Sequence, residues 1–285
     1  MKIQTSIKAF ILLGMILALS ACGFKTIYNN VDWVLAGMVD DYVTLSELQE
    51  GNVEKQIKKL MTWHRGTQLS IYANDLKQIK DYTQAGLTEA NTDAVFKNFL
   101  HYWYAVREQV SPEMAELFLS LDGKQRLELY KRLKEKNKEL EDEYTKTTAE
   151  EKTKISADKM VDNVSDWVGE LSAEQETMLR SWPEKFKSLY PERKKFRLAW
   201  QAKLKAILAN KDISEEEKRA QLINLVNKPE TYYSEIQKQN LAYNSNQLKA
   251  LLIDFDKTVS TEQKTYLAAR LDHFSKIFSE LAAEK

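Results

Sequence analysis

Apolar residues recur three and four positions apart along most of the chain, which is the spacing of one face of an α-helix. The first strong stripe follows Ser46 and carries Val53, Ile57, Leu60, Leu69 and Leu76. Similar stripes return in every later section and end with Ile277, Phe278 and Leu281. The pattern therefore predicts a succession of helices over nearly the whole chain.

Glycine and proline mark where these helices should break. Gly86 should end one helix, and Ser111-Pro112 has the pattern of an N-cap followed by proline at the first helical position. Pro183 should kink or split the helix around it, and Pro191 should begin another. Eight glycines and four prolines in the whole chain are few for the many turns of a β-rich fold. We expect an all-α fold, an elongated multi-helix body of long antiparallel helices and hairpins.

Residues 134–159 are mostly charged and interrupt the apolar stripes. A solvated, extended hairpin arm is one interpretation of this section, and a disordered linker is the other. The sequence is expected to divide into residues 1–21, a signal peptide; 22–44, a tether and short helix; and two helical halves, 45–150 and 151–285. The two halves are expected to form one continuous helical body.

A five-residue pattern occurs four times: an apolar residue, then Ser or Asp, two further residues, and Gln. It stands at Leu45–Gln49, Leu121–Gln125, Leu171–Gln175 and Val259–Gln263. Each copy has the residues of a capping box, in which the Ser or Asp oxygen accepts a first-turn N–H and the Gln reaches back to the cap N–H. The simplest interpretation is efficient helix initiation. The intervals between copies are unequal, so they do not form a regular repeat array.

The N-terminal residues have the composition of an export signal. Lys2 and Lys8 precede an apolar run from Ala9 to Leu19, and small residues follow up to Gly23. The run is too short to cross a bilayer as a mature helix, which needs about 20 apolar residues. An ordinary cleaved export signal, in which Cys22 has no role, is one interpretation of this segment.

Composition narrows the possible partners. Cleavage after residue 21 leaves 285 − 21 = 264 residues and removes two lysines from a chain of zero formal charge, so the mature charge is about −2. A near-neutral surface argues against nucleic acid as a partner. Cys22 is the only cysteine, so if it carries a lipid no thiol remains for a disulfide, metal site or nucleophile.

Candidate site chemistry is sparse, and no catalytic, cofactor or metal site is predicted. The three histidines do not stand at metal-binding spacings. His64-Arg65 beside Trp63 is the best candidate binding patch, since Arg65 can pair bidentately with a carboxylate or phosphate. Asp32 and Trp33 are added to this patch. The competing interpretation is that His64 is a satisfied core residue and that Asp32 caps a helix.

Three family resemblances extend this interpretation. Leu19-Ser20-Ala21-Cys22 resembles a bacterial lipobox, which implies cleavage before Cys22, a diacylglycerol thioether and acylation, for example by palmitate; Gly23 implies sorting to the outer membrane. The boxes resemble the Leu-Thr-x-x-Gln motif of Spy/CpxP-type periplasmic chaperones and stress-response adaptors. The combination of Tyr28-Asn29-x-x-Asp32-Trp33, Trp63-His64-Arg65, the Leu171 box and Arg197-x-x-Trp200 resembles the DUF6279 family of bacterial lipoproteins. One departure is Leu69-Ser70-Ile71-Tyr72, where a proline is expected.

These observations predict a lipid-anchored protein on the periplasmic face of the outer membrane, held through the lipid on Cys22. Its expected function is non-catalytic binding of envelope proteins as a chaperone, adaptor or scaffold. The alternatives are an envelope enzyme or ligand-binding lipoprotein acting on peptidoglycan or lipid, and a stress sensor that partners a membrane kinase.

Overall fold

The computed structural model describes residues 21–284, with side chains from Gly23 onward, so the predicted signal segment and the side chain of Cys22 lie outside the described part. Every regular element in this part is helical, which confirms the all-α prediction. The α-helices are α1 Ala21–Asn29, α2 Val31–Asp40, α3 Glu47–Trp63, α4 Leu69–Ala85, α5 Glu89–Ser120, α6 Gly123–Lys146, α7 Ala149–Val168, α8 Ala173–Ser181, α9 Tyr190–Ala209, α10 Glu215–Asn227, α11 Glu235–Asp256 and α12 Thr261–Ala283.

Three of the junctions between α-helices contain a short π-helical or 3₁₀ turn. A π-helical turn, His64–Gln68, joins α3 to α4 at the position of Gly66. A 3₁₀ turn, Trp182–Lys185, follows α8 and contains Pro183, so this helix is split where the proline predicts. A second 3₁₀ turn, Pro229–Tyr232, precedes α11.

All four five-residue patterns form complete capping boxes. The cap residues Ser46, Asp122, Ser172 and Ser260 each accept the backbone N–H of the Gln three residues on. Each Gln Oε1 in turn accepts the cap residue's own N–H at 2.9–3.0 Å. Each cap stabilises its helix start by about 1 kcal/mol.

The four boxes also bind one another in two pairs. Gln49 and Gln125 exchange reciprocal side-chain hydrogen bonds of 3.1 and 2.6 Å. Gln175 and Gln263 do the same at 2.9 Å in both directions. The second pair is buried, with Gln175 only 2% exposed. The pattern therefore does more than begin a helix, because each copy joins its helix start to another one far away in the chain.

Each Gln Nε2 also donates to the carbonyl two residues before its partner's cap. Gln49 reaches Ser120 O at 3.0 Å and Gln125 reaches Thr44 O at 3.0 Å. In the second pair, Gln175 reaches Thr258 O at 3.0 Å and Gln263 reaches Glu170 O at 2.7 Å. The amide groups are fully used, which is what burial of polar groups requires.

The prediction that a new helix begins at Ser111-Pro112 is wrong. α5 runs without interruption from Glu89 to Ser120 with Pro112 inside it. Proline removes the N–H that would bond to the carbonyl of Glu108. The hydroxyl of Ser111 donates to that carbonyl at 3.4 Å instead, and Ser111 is buried. Ser111, which the sequence suggested as an N-cap, thus replaces part of the hydrogen bonding that the proline removes.

The charged section 134–159 consists of the end of α6 and the first half of α7, separated by Thr147 and Thr148. It is helical here, as the arm interpretation required. The outer part of α6 bonds to α9: Tyr144 stacks on Tyr190 at 3.7 Å between ring centroids, and Glu141 pairs with Lys194 at 2.5 Å.

The core has three clusters of buried side chains, and each draws on distant parts of the chain. The first combines Val43, Phe118 and Leu129 with Leu204 and Leu222. The second centres on Leu179, Trp182 and Phe255. The third joins the two ends of the described chain, where Phe24 and Leu69 pack on Phe274, Ile277 and Leu281.

Helices from the two predicted halves pack directly on each other. α4 lies along α12, and α5 lies along α10. The buried hydroxyl of Ser275 on α12 donates to the carbonyl of Ala73 on α4 at 2.8 Å. Each box pair lies within one half, 45–150 or 151–285, while the first and third hydrophobic clusters span both. The division of the chain into two halves stays a prediction.

Residues 22–44 were expected to be a tether and short helix; α1 and α2 together cover most of this range, up to Asp40. Asn30 occupies the N-cap position of α2 but makes no side-chain cap bond; its Nδ2 donates to Thr26 O at 2.7 Å. Asp32 lies in the first turn and accepts the N–H of Trp33. Among the described residues, none of the helices is long and apolar enough to span a membrane.

Replacement of Gln175 by Ala should destabilise the protein by about 2–4 kcal/mol, because it removes both bonds to the buried Gln263 amide and the partners that Gln175 gives to Thr258 O and Ser172 N–H. Gln49→Ala is the matched control, since Gln49 makes the same set of bonds where water can replace it. Urea unfolding followed by circular dichroism measures both. Equal losses in the two variants would contradict the role assigned to burial.

Candidate functional site

The predicted patch at Trp63-His64-Arg65 lies at the π-helical turn between α3 and α4, beside α1. Tyr28 OH and His64 Nδ1 are 2.8 Å apart and hydrogen bonded. Arg65 Nη2 donates to Asn29 Oδ1 at 2.9 Å. The Tyr28-Asn29 and His64-Arg65 dipeptides, which are 36 residues apart in the chain, thus contact each other residue for residue.

His64 is enclosed by aromatic rings. Tyr28 and Tyr72 lie at 5.9 and 5.5 Å from its ring centroid, and Trp63 lies at 6.2 Å. Burial lowers the pKa of His64 to about 4, so the imidazole is neutral at physiological pH. Burial raises the pKa of Tyr28 to about 12, and its phenol therefore keeps a proton that it can donate to His64 Nδ1.

Arg65 was predicted to pair with a carboxylate or phosphate of a ligand, but its guanidinium is already bonded to other side chains of the protein. Its Nη1 pairs with the carboxylate of Glu284 at 3.0 Å, and its guanidinium lies 5.3 Å from the centre of the Tyr28 ring. Lys25 adds a second ion pair nearby, at 2.5 Å from Glu280. The carboxylate that Arg65 binds is thus one of the chain's own, and the cluster closes the N-terminal helix onto the C-terminal one.

Asp32 and Trp33 are not part of this cluster. Asp32 bonds to the adjacent backbone, and no hydrogen bond or ring contact joins either residue to His64 or Arg65 within the described structure. Trp33 is 81% exposed, the largest exposed fraction among the large apolar side chains described. The predicted five-residue patch is therefore two separate features, a closed cluster and an isolated exposed tryptophan.

A different site lies along α3. A cavity of about 890 Å³, hereafter the groove, lies between α2 and α3 on one side and α5 on the other, with α6 and α9 beneath. Its lining is predominantly apolar and includes Leu35, Met38, Val39, Val53, Ile57, Leu60, Val106, Val110, Met114 and Leu117. Part of the first core cluster forms its floor, through Phe118, Leu129 and Leu204.

Polar side chains are spaced along the groove. Asn52 and Gln56 stand on α3, and Gln109 and Glu113 stand on α5. The Oε1 atom of Gln56 is buried and has no hydrogen-bond partner. Such an acceptor costs about 1–3 kcal/mol when it is left unpaired. A ligand whose binding turns the Gln56 side chain, so that Oε1 accepts an N–H from it, would recover this free energy.

No group of three or more His, Cys, Asp or Glu that could hold a metal occurs within residues 21–284. The buried carboxylate of Glu192 pairs with Lys195 at 2.6 Å and accepts Ser234 Oγ at 2.5 Å, so it has local partners. The arrangement supports binding through shape and apolar contact.

Sequence reasoning marked several of the lining positions as helical apolar faces, but it did not locate the groove. Val53, Ile57 and Leu60 are three of these positions. Only the separation between α3 and α5 leaves them lining open space. No signal in the sequence distinguishes an apolar face that is covered from one that lines a cavity.

Comparison with known proteins identifies the family. The model of a family described as "Family of unknown function (DUF6279)" matches residues 41–237. This is more than half of the chain, and the chain belongs to that family. The matched range contains the first three boxes and His64-Arg65, and it ends before the fourth box at Val259. The searches of curated proteins and of solved structures returned no match.

His64 should make stability depend on pH with a definite sign. Its folded pKa of about 4 lies below the ordinary value of 6.5, so the unfolded chain binds more protons between these values. The contribution is complete above pH 6.5 and is lost as pH falls toward 4, by about 3 kcal/mol in total. His64→Gln keeps an acceptor for Tyr28 but cannot titrate, so it should reduce this slope.

Urea unfolding at several pH values measures the effect as a difference between wild type and variant. His101→Gln, at an exposed histidine on α5, is the control and should keep the wild-type slope. Identical slopes for wild type and His64→Gln would refute the buried, neutral state of His64.

Proposed function

We propose that this protein is a lipid-anchored envelope protein on the periplasmic face of the outer membrane, and that it binds polypeptides without catalysis. The groove is the binding site in this proposal. Its volume is of the size usual for ligand sites, and apolar walls with a few convergent polar groups are typical of such sites. Chaperone, adaptor and scaffold roles all share this mode of binding.

The dimensions of the groove favour a helical segment. Its α3 wall extends from Gln49 to Leu60, which is about 16 Å or roughly three helical turns. An amphipathic helix that places its apolar face in a hydrophobic groove is a recurring mode of peptide recognition. Such a helix presents apolar anchors at intervals of three and four residues, which suits walls that are themselves helices.

The unpaired Gln56 Oε1 is the observation that favours a polypeptide over a lipid chain. A polypeptide brings side-chain or backbone N–H donors, whereas an acyl chain brings none. An acyl chain would leave this acceptor unpaired beneath it and would retain the cost of its burial. Binding of a lipid is the competing function, and photo-crosslinking in the groove distinguishes the two.

Binding rather than catalysis is proposed because the histidine and arginine of the predicted patch are already bonded to other side chains of the protein. His64 is held neutral by burial and bonded to Tyr28, and Arg65 is bonded to Asn29 and Glu284. Replacement of either side chain by Ala should therefore lower the stability of the protein, because it weakens the contact between α1 and the end of α12.

A photo-reactive residue placed at Val110 in the groove should capture polypeptides in cells that make the full-length protein. The matched control carries it at Leu127, which is 69% exposed on α6 and away from the groove. Capture should occur at position 110 and not at 127. It should be weakened by Gln56→Leu, a substitution that removes the unpaired acceptor and should raise stability by about 1 kcal/mol.

Opposite effects of Gln56→Leu on stability and capture are the key result, because simple damage to the fold lowers both. Equal capture at positions 110 and 127 would contradict the groove as a site. Capture of lipid alone at position 110, with Gln56→Leu neutral, would favour the lipid-binding alternative.

Lipidation of Cys22 is tested separately. Mass spectrometry of the mature protein should find Cys22 as the first residue, carrying a diacylglycerol and an amide-linked acyl chain. Cys22→Ser should yield a protein that fractionates away from membranes. A mature chain with an unmodified cysteine would contradict the anchor and leave an ordinary cleaved signal.

A further inference from the structure

The structure places almost no chain between Cys22 and the folded body. Phe24, two residues later, is 4% exposed and packs edge-on against Phe274 and Phe278, at 6.1 and 5.5 Å between ring centroids. Lys25 forms its ion pair with Glu280 one residue further on. An anchor on Cys22 would thus hold the C-terminal end of α12 at the membrane, with no flexible linker between them.

Trp33 lies close to the same point. Helices α1 and α2 are separated only by Asn30, so the eleven residues from Cys22 to Trp33 span at most about 17 Å at helical rise. Tryptophan is a large side chain that is usually well buried on average, yet Trp33 is 81% exposed. Its ring makes no contact with another aromatic ring among the described residues.

Helix α2 has two different faces. Leu35, Met38 and Val39 line the groove. Trp33 and Gly37 are exposed, and at about 100° per residue they lie on the side away from that wall. This outward side has an apolar aromatic residue in its first turn, at the end nearest Cys22.

The charges around Trp33 define what it can contact. Residues 26–44 contain no Lys or Arg and have three acidic residues, Asp32, Asp40 and Asp41. Attraction to anionic headgroups cannot therefore hold this segment on a surface. The ring of tryptophan instead favours the headgroup level of a bilayer, where one end is apolar and the other is hydrated.

We propose that Trp33 inserts into the interface of the bilayer that carries the lipid on Cys22. This inference rests on the proposed lipid anchor and adds a second point of contact. Two contacts about 17 Å apart at most would restrict the orientation of the body to rotation about the line between them, and would place α2 between the bilayer and the groove. The groove would then open within about one helix diameter of the membrane surface.

The test uses the lipidated full-length mature protein in phosphatidylcholine vesicles whose acyl chains are brominated, with tryptophan emission as the signal. Bromine quenches only rings that reach the bilayer. Trp33→Phe should remove most of the quenching, whereas the control Trp103→Phe, at a ring 53% exposed on α5, should leave it unchanged. Addition of phosphatidylglycerol should not increase the quenching, because the segment has no cations to attract.

Each other result overturns the proposal in a recognisable way. If mass spectrometry of the same sample shows an unmodified Cys22, the anchor and the docking fail together. If Cys22 is lipidated but wild type and Trp33→Phe are quenched equally, the anchor stands and the docking of Trp33 is wrong. Trp33 and Trp103 are both exposed, so neither substitution is expected to disturb folding. Circular dichroism of the two variants checks this.

Discussion

Reciprocal hydrogen bonding between glutamine side chains is the interaction on which this helical body depends. Each box glutamine satisfies its own helix start, the partner glutamine and a carbonyl that precedes the partner's cap. A polar network of this kind is favourable only when every member is satisfied, because one missing partner leaves several buried groups unpaired. The two pairs fix helix starts 76 and 88 residues apart relative to each other.

The closed cluster of Tyr28, His64 and Arg65 provides a second constraint on the fold, because it connects the two ends of the described chain. It joins α1 to the π-helical turn and to the end of α12 through neutral, cationic and aromatic contacts. An apolar groove and an exposed tryptophan are two of the surfaces that stay open in the described part of the chain. Both suit association with partners or membrane, and family membership in DUF6279 brings no stated activity to set beside them.

Much of the helical layout could be predicted, and the failures have local physical causes. The four boxes begin helices where the sequence places them, and Pro183 separates α8 from α9 by a 3₁₀ turn. Pro112 does not break α5, because the hydroxyl of Ser111 supplies a donor to Glu108 O and tertiary packing buries that serine. For the candidate site, Trp63, His64 and Arg65 are adjacent by necessity, while Asp32 and Trp33 were grouped with them only by residue type.

The sequence by itself determined the all-α class and most helix starts, since these follow from local spacing and short-range hydrogen bonds. Tertiary structure alone decided which box faces which, that Arg65 meets Glu284, and that Val53 and Val110 line open space. The physical reason is that a helical stripe specifies which face is apolar, and not what covers it. Partner choice depends on the packing of helices that are distant in the chain, which no local pattern encodes.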